Sequence, residues 1–199
     1  MAAELVLAST SQSRRTLMKN AGLVFNTVAA TVDERAIESE ERNVKLGPAE
    51  LALELARQKA LDVSRKKPGA LVIGCDQTMS LGQVVFHKPA GIGEARENLW
   101  TLRGKTHRLN SAIVLVQDGE VSWEHVGIAE LTMRSFSESY LDQYLSRVAE
   151  SVLKSVGAYQ LEGEGIQLFE SIEGDYFTIL GLPLLPLLSK LREMGELDA

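Results

Sequence analysis

Apolar positions divide the chain into segments of two periods. Leu5-Val6-Leu7 is a short apolar run that reads as a strand. A polar loop from Ala8 to Arg15 follows, then a helix to about Asn20, with Gly22 placed to cap its C-terminus. Phe25 to Val32 predicts a strand leading into Asp33-Glu34-Arg35. Pro48 opens a long helix, whose stripe Ala52, Leu55, Ala56, Ala60, Val63 has helical spacing and takes in Lys59. A lysine there either snorkels to the edge or faces an anion. Ala70 to Gly74 is continuously apolar, as a buried strand is, and is expected to end at Cys75-Asp76-Gln77. Val84 to Phe86 predicts a short strand and Glu94 to Leu102 a helix stopping near Gly104. His107–Val116 and Val121–Met133 predict long strands joined at Asp118-Gly119. Ser137 caps a helix to about Ser146. Ile166–Phe169 and Tyr176–Leu180 predict a hairpin across Glu173-Gly174-Asp175, and Pro183 starts the last helix. These elements make an α/β fold with mixed sheets, formed by residues 1–199 as one domain.

Composition narrows the function classes. With 199 residues, 45% hydrophobic and 24% charged, the chain can bury a core of ordinary size. A net charge of -6 argues against a surface that coats nucleic acid. Cys75 is the one cysteine, so no internal disulfide forms. The start Met1-Ala2-Ala3-Glu4 lacks the basic residues of a signal peptide, and the apolar run Ile179 to Leu188 is too short for a bilayer and holds two prolines. The expectation is a cytoplasmic protein with no membrane or nucleic-acid partner.

Four groups of residues are candidates for chemistry. The loop from Ser9 to Arg15 joins a strand to a helix, where backbone N–H groups favour anions. The Ser9 and Ser11 hydroxyls and the Arg14 and Arg15 guanidiniums suit phosphate oxygens; the alternative is an N-capped surface helix. Asp76 follows a buried strand, where α/β sheets bind ligands, and can hold a divalent cation or accept a proton from water. The alternative is a turn aspartate. Glu34 can complete a carboxylate pair with Asp76 for Mg²⁺ or Mn²⁺, or belong to a solvated patch with Glu38, Glu40 and Glu41. Lys59 and Lys88 can neutralise a polyphosphate, or lie on the surface. His87, His107 and His125 lack metal-ligand spacing, and no serine sits in GxSxG.

These segments together resemble the Maf family of nucleotide pyrophosphatases, once described as septum-formation inhibitors. The likeness runs through Leu7 to Arg15, Val32-Asp33-Glu34, Leu55 to Ala60, Ile73 to Gln77, His87-Lys88-Pro89, Gly157-Ala158-Tyr159 and Gly174 to Leu184. It implies an elongated, two-lobed fold of the inosine triphosphate pyrophosphatase type with a central cleft. It also implies hydrolysis of a nucleoside triphosphate to a monophosphate and pyrophosphate with Mg²⁺ or Mn²⁺, and it favours a homodimer. The family's catalytic aspartate falls on Asp76, and other site positions on Ser9, Arg14, Glu34, Lys59 and Lys88. Positions linked to base choice are Ser13, Gln77 and Glu162. Asp76-Gln77 and Glu162 resemble the branch acting on 7-methyl-GTP, where a carboxylate can accept from guanine N1–H and the N2 amino group. Gln12 departs from the usual proline and Ser13 from an aromatic residue common in that branch. The rival functions are a non-catalytic nucleotide-binding regulator of cell division and a house-cleaning enzyme for deaminated purines.

Overall fold

The computed structural model of the chain describes residues 3–40, 43 and 45–198, with residues 149, 150 and 154 described through their backbone alone. The buried strand β1 (Leu5–Ala8) leads through a short loop to α1 (Gln12–Asn20), whose N-cap Ser11 accepts from the Arg14 backbone N–H. The helix ends as expected at Gly22: with φ of 78°, it lets Leu23 N–H reach the Met18 carbonyl at 3.1 Å and its own N–H reach Lys19 at 3.0 Å. β2 (Asn26–Thr27) is far shorter than the strand expected from Phe25 to Val32. It has β1 on one side only, and beyond Val28 the chain is drawn to the next long helix, where Asp62 accepts from Thr31 N–H at 2.8 Å. α2 (Glu34–Ser39) was not foreseen; Asp33 caps it by accepting from Ala36 N–H at 3.0 Å.

α3 (Pro48–Lys66) starts at its proline and buries the anticipated stripe, Ala52, Leu55, Ala56, Ala60 and Val63. β3 (Leu71–Leu81) runs well past Asp76, which is therefore a mid-strand residue and not a strand-end one. The strand continues because its polar residues are satisfied: Thr78 donates to the Pro48 carbonyl at 2.7 Å and accepts from Asn110 at 3.2 Å. β4 (Val84–Phe86) and α4 (Ile92–Leu102) follow. β5 (Thr106–Gln117) and β6 (Glu120–Met133) form the predicted hairpin. Asp118 and Gly119, at φ of 49° and 83°, supply the two positive dihedrals that a type I′ turn requires.

α5 (Glu138–Val148) is capped by Ser137, which accepts from Tyr140 N–H at 3.2 Å. Two 3₁₀ turns, Ala149–Lys154 and Glu164–Leu168, precede β7 (Phe169–Glu173), α6 (Tyr176–Ile179) and α7 (Leu184–Glu193). The hairpin expected across residues 166–180 does not form. Asp175 instead caps a helical turn, accepting from Thr178 N–H at 3.0 Å, and β7 pairs with β6.

The seven-stranded sheet is mixed, ordered β2-β1-β3-β5-β6-β7, with β4 beside the end of β3. β1 is parallel to β2 and β3, and the other pairings are antiparallel. This is the α/β, mixed-sheet class expected. Alternation along β3 sorts the core. Leu71, Ile73 and Cys75 pack with Leu17 and Met18 of α1 and with Leu184, Leu187 and Leu191 of α7. Val72 packs with Ala52, Ala56, Ala60 and Val63 of α3. A further cluster lies beneath α4 and α5 around Leu99, Leu131 and Tyr144. Among the described residues no helix is long and apolar enough to cross a membrane.

Candidate functional site

The sheet itself creates the site. β1 pairs with β3 only as far as Ala8 opposite Gly74, and β4 pairs with β3 only from Met79 onward. Between them, residues 75–78 of β3 have β5 on one side and no strand on the other. A cavity of about 350 Å³ opens at this gap. Side chains leaving either face of β3 reach it, so Asp76 and Gln77 both line it although they point oppositely from the strand. Arg14 fills part of the missing edge. Its Nη1 donates to the Cys75 carbonyl at 2.9 Å, just past the last β1 pair, and its Nε donates to the Gly181 carbonyl at 2.7 Å. Nη1 also approaches the Ser9 Oγ at 3.4 Å, and that hydroxyl accepts from Ser11 N–H at 3.2 Å. No bond among the described residues engages Arg14 Nη2, which stays available to an anion.

The charged centre comes from three elements. Asp76 is nearly buried and stands on the α3 face of β3, two residues after Gly74. Lys59, on α3, donates to Asp76 and reaches Glu34 Oε1 at 2.6 Å. Glu34 is the first residue of α2, held there by the Asp33 cap. Burial opposes the charged form of Lys59, but Asp76 and Glu34 outweigh it and raise its pKa. Burial likewise raises the Glu34 carboxyl, yet Lys59, Lys88 and Arg14 together bring it below its ordinary value. Both groups are therefore ionised at neutral pH. Two carboxylates converging on one ammonium are a donor set that fits a hard divalent cation, with its other positions left to water and phosphate oxygens. Among the described residues no three His, Cys, Asp or Glu side chains cluster as ligands.

Ser9, Ser11, Ser13, Arg14, Glu34, Lys59, Asp76, Gln77, Lys88 and Glu162 all line the cavity. Arg15 does not, which corrects its placement among the phosphate-binding residues. α1 begins at Gln12, so Arg15 is turned about 100° from Arg14 and donates instead to Gln12 on the outer face at 2.7 Å. Cys75 is core; burial pushes its thiol up to about 11.

The partners that hold the lining residues Gln77 and Tyr159, namely Ser111 and His107, were not among the sequence candidates. The Gln77 Nε2 lies 2.8 Å from Ser111 Oγ, 3.1 Å from the Thr178 carbonyl and 3.0 Å from the Ile179 carbonyl. Backbone carbonyls only accept, so the amide orientation is fixed and both its N–H donors are spent inside the protein. Gln77 can offer a ligand only its carbonyl oxygen. Tyr159 also lines the cavity, its hydroxyl 2.7 Å from Nε2 of the buried His107. Their signal in sequence is weak: His107 and Ser111 lie among the polar letters Thr106, Arg108 and Asn110 at the start of their strand, with nothing to set them apart.

A family model described as Maf-like protein matches residues 4–194. The chain belongs to the Maf family. Full-length relatives agree. A Rhizobium etli protein named 7-methyl-GTP pyrophosphatase is 61% identical over 198 residues, covering 100% of both chains. A Rhizobium meliloti protein of the same name is 60% identical over 195 residues, 98% of each. A Paramagnetospirillum magneticum protein named nucleoside triphosphate pyrophosphatase is 53% identical over 192 residues, 96% of this chain and 99% of its own.

In this Maf chain the buried His107 has a consequence for stability. Burial pushes its imidazole down from 6.5 to about 4. A base whose pKa is lower folded than unfolded contributes its stability above pH 6.5 and loses it as the pH falls toward 4. The expected loss is about 3 kcal/mol, read as the unfolding free energy in urea at several pH values. His107→Gln should flatten that slope; an unchanged slope would show that other groups carry it.

Proposed function

We propose that this Maf protein hydrolyses a nucleoside triphosphate to the monophosphate and pyrophosphate, and that its substrate is 7-methyl-GTP. The observation that carries the reading is the placement of Lys59 between Asp76 and Glu34, in a cavity that Arg14 and Lys88 also line. Such a site gathers cations for a triphosphate beside carboxylates for water and metal. Water attacks the α-phosphorus, the bond from that atom to the α–β bridging oxygen breaks, and pyrophosphate leaves. Asp76 orients or deprotonates the water. Lys59, Lys88 and the free Nη2 of Arg14 offset the charge that builds on the phosphates and leaving group. Mg²⁺ or Mn²⁺ held by Glu34 and Asp76 would supply Lewis-acid polarisation and a more acidic water.

The base assignment rests on acceptors. Gln77 has only its carbonyl left, and the Glu162 carboxylate accepts and does not donate. Guanine offers two adjacent donors, N1–H and the N2 amino group, whereas uracil and thymine offer one N3–H between two carbonyls. N7-methylation gives the base a cationic ring that suits a carboxylate. The names of the relatives from Rhizobium etli and Rhizobium meliloti point to the same substrate. A cytoplasmic location and a homodimer accompany the proposal; fractionation and light scattering test them.

The deciding experiment is pyrophosphate release from 7-methyl-GTP, GTP, ITP, UTP and dTTP, with Mg²⁺, with Mn²⁺ and after chelation. We expect 7-methyl-GTP to exceed UTP in kcat/KM by about 100-fold, with activity lost on chelation. Faster turnover of UTP or dTTP would overturn the base assignment, and activity surviving chelation the metal. Binding without turnover across the panel would favour the non-catalytic regulator.

A further inference from the structure

His107 is nearly fully buried on β5, and its Nδ1 has no hydrogen-bond partner. Its Nε2 lies 2.7 Å from the hydroxyl of Tyr159, and that hydroxyl lies 4.0 Å from Met79 Sδ. A neutral imidazole carries one N–H. On Nδ1 that proton would be a stranded buried donor; on Nε2 it is used. The arrangement that satisfies every donor has Nε2–H donating to the Tyr159 oxygen and the Tyr159 O–H directed at the Met79 sulfur. Phe169 closes the group, its ring 4.9 Å from that of Tyr159 and 5.9 Å from that of His107.

Tyr159 belongs to residues 155–162, a stretch without strand or α-helix that forms one wall of the cavity and ends at Glu162. The backbone bonds of this stretch are short-range, such as Ala158 N–H to the Ser155 carbonyl at 3.2 Å and Gly163 N–H to the Gln160 carbonyl at 3.2 Å. Among the described residues its longer-range hydrogen bonds to other elements are the Tyr159–His107 bond, the long contact from the Tyr159 hydroxyl to Met79 Sδ, and one from the Tyr144 hydroxyl to the Ala158 carbonyl at 3.4 Å. The stretch is wound around the Tyr159 ring. A Cβ on Gly157 would stand 2.2 Å from the ring's Cε1, and Ala158 is held at φ of 53°, where L-residues are strained.

We propose that His107 and Tyr159 are positioning residues for base selection: their hydrogen bond fixes the wall that carries Glu162. Neither acts on the phosphates, which meet Asp76, Lys59 and Arg14 on other elements. The inference rests on reading the cavity as a nucleotide site.

Tyr159→Phe keeps the ring and removes the bond; His107→Leu removes it from the other side. His107→Gln retains an N–H that can serve the tyrosine oxygen. Steady-state kinetics with 7-methyl-GTP and UTP are read alongside Tm. In both removal variants KM for 7-methyl-GTP should rise roughly tenfold, with kcat within about twofold and UTP kinetics little changed. His107→Gln should restore most of the selectivity. Losses shared equally by both nucleotides, or unchanged selectivity in Tyr159→Phe, would overturn the proposal whatever happens to Tm. If the unaltered protein hydrolyses no nucleotide, the functional reading fails first. The inference is then decided by calorimetric Kd values for the same two nucleotides, where a selective tenfold loss supports it and equal Kd values refute it.

Discussion

Asp76→Asn is expected to lower pyrophosphate release from 7-methyl-GTP by about 10³-fold or more while leaving the protein folded, since on the proposed mechanism it removes a positioned base, worth about 10²–10⁴, or a carboxylate that would hold the metal. The substitution keeps size and an acceptor oxygen but removes the charge. Asp76 is a mid-strand residue paired with Ala112 of β5, and the substitution leaves that backbone pairing untouched, so the backbone has no reason to move. Lys59 loses one of its two anions but keeps Glu34 at 2.6 Å, which limits the cost of a buried unpaired ammonium. The variant should therefore remain cooperative in thermal unfolding and should still bind nucleotide through Lys59, Lys88 and Arg14. Activity within tenfold of the parent, at saturating Mg²⁺ or Mn²⁺, would remove Asp76 from the chemistry. Loss of binding together with turnover would make it a structural anchor for Lys59.

Asp76 also shows what one sequence discloses and what it conceals. The apolar run from Ala70 to Gly74 announces a buried strand, and a carboxylate after it announces a ligand position. The polar letters Gln77, Thr78 and Ser80 then read as a loop, because their partners, Ser111, Pro48 and Asn110, lie far along the chain. The α3 stripe is legible because helical period and burial coincide, and Lys59 stands out as the charge within it. α2 is not legible: Glu34-Arg35-Ala36-Ile37-Glu38-Ser39 has no buried residue, so it leaves no apolar period. The segment from Tyr176 to Leu180 has aromatic and β-branched residues that suit a strand, yet the Asp175 cap wins locally and makes a helical turn. Arg15 is misplaced for a simpler reason. Moving the helix start from the end of the polar loop to Gln12 fixes the direction of each later side chain: Ser13 and Arg14 face the cavity and Arg15 does not.

Gly74→Ala should be strongly destabilising for a change of one methyl group. Glycine is needed there for closeness and not for dihedral freedom. A Cβ at position 74 would stand 2.3 Å from the Ala56 carbonyl oxygen, 2.7 Å from Ala60 Cβ and 3.0 Å from Ala60 N. None of these is the free end of a flexible side chain, so the helix must move as a body. α3 faces the sheet with alanines for the same reason, and separating the two surfaces opens gaps along Ala52, Ala56 and Ala60. We expect a loss of about 3 kcal/mol or somewhat more, a fall in Tm of roughly 6–12 °C for a chain of this size. Lys59 precedes Ala60 on the displaced helix, so its ammonium leaves Asp76 and Glu34, and kcat/KM should fall by about 100-fold even below the new Tm. Gly93→Ala is the matched control. It lies in α4 with nothing within 4 Å of the added carbon, and should stabilise by up to about 1 kcal/mol. Ala60→Gly in the Gly74→Ala background relieves the side-chain overlap but not the contact with the Ala56 carbonyl, so the rescue should be partial in both Tm and kcat/KM. Full rescue would place the conflict at Ala60 alone, and a Gly74→Ala protein as stable as the parent would mean that α3 does not lie on β3 as closely as the geometry requires.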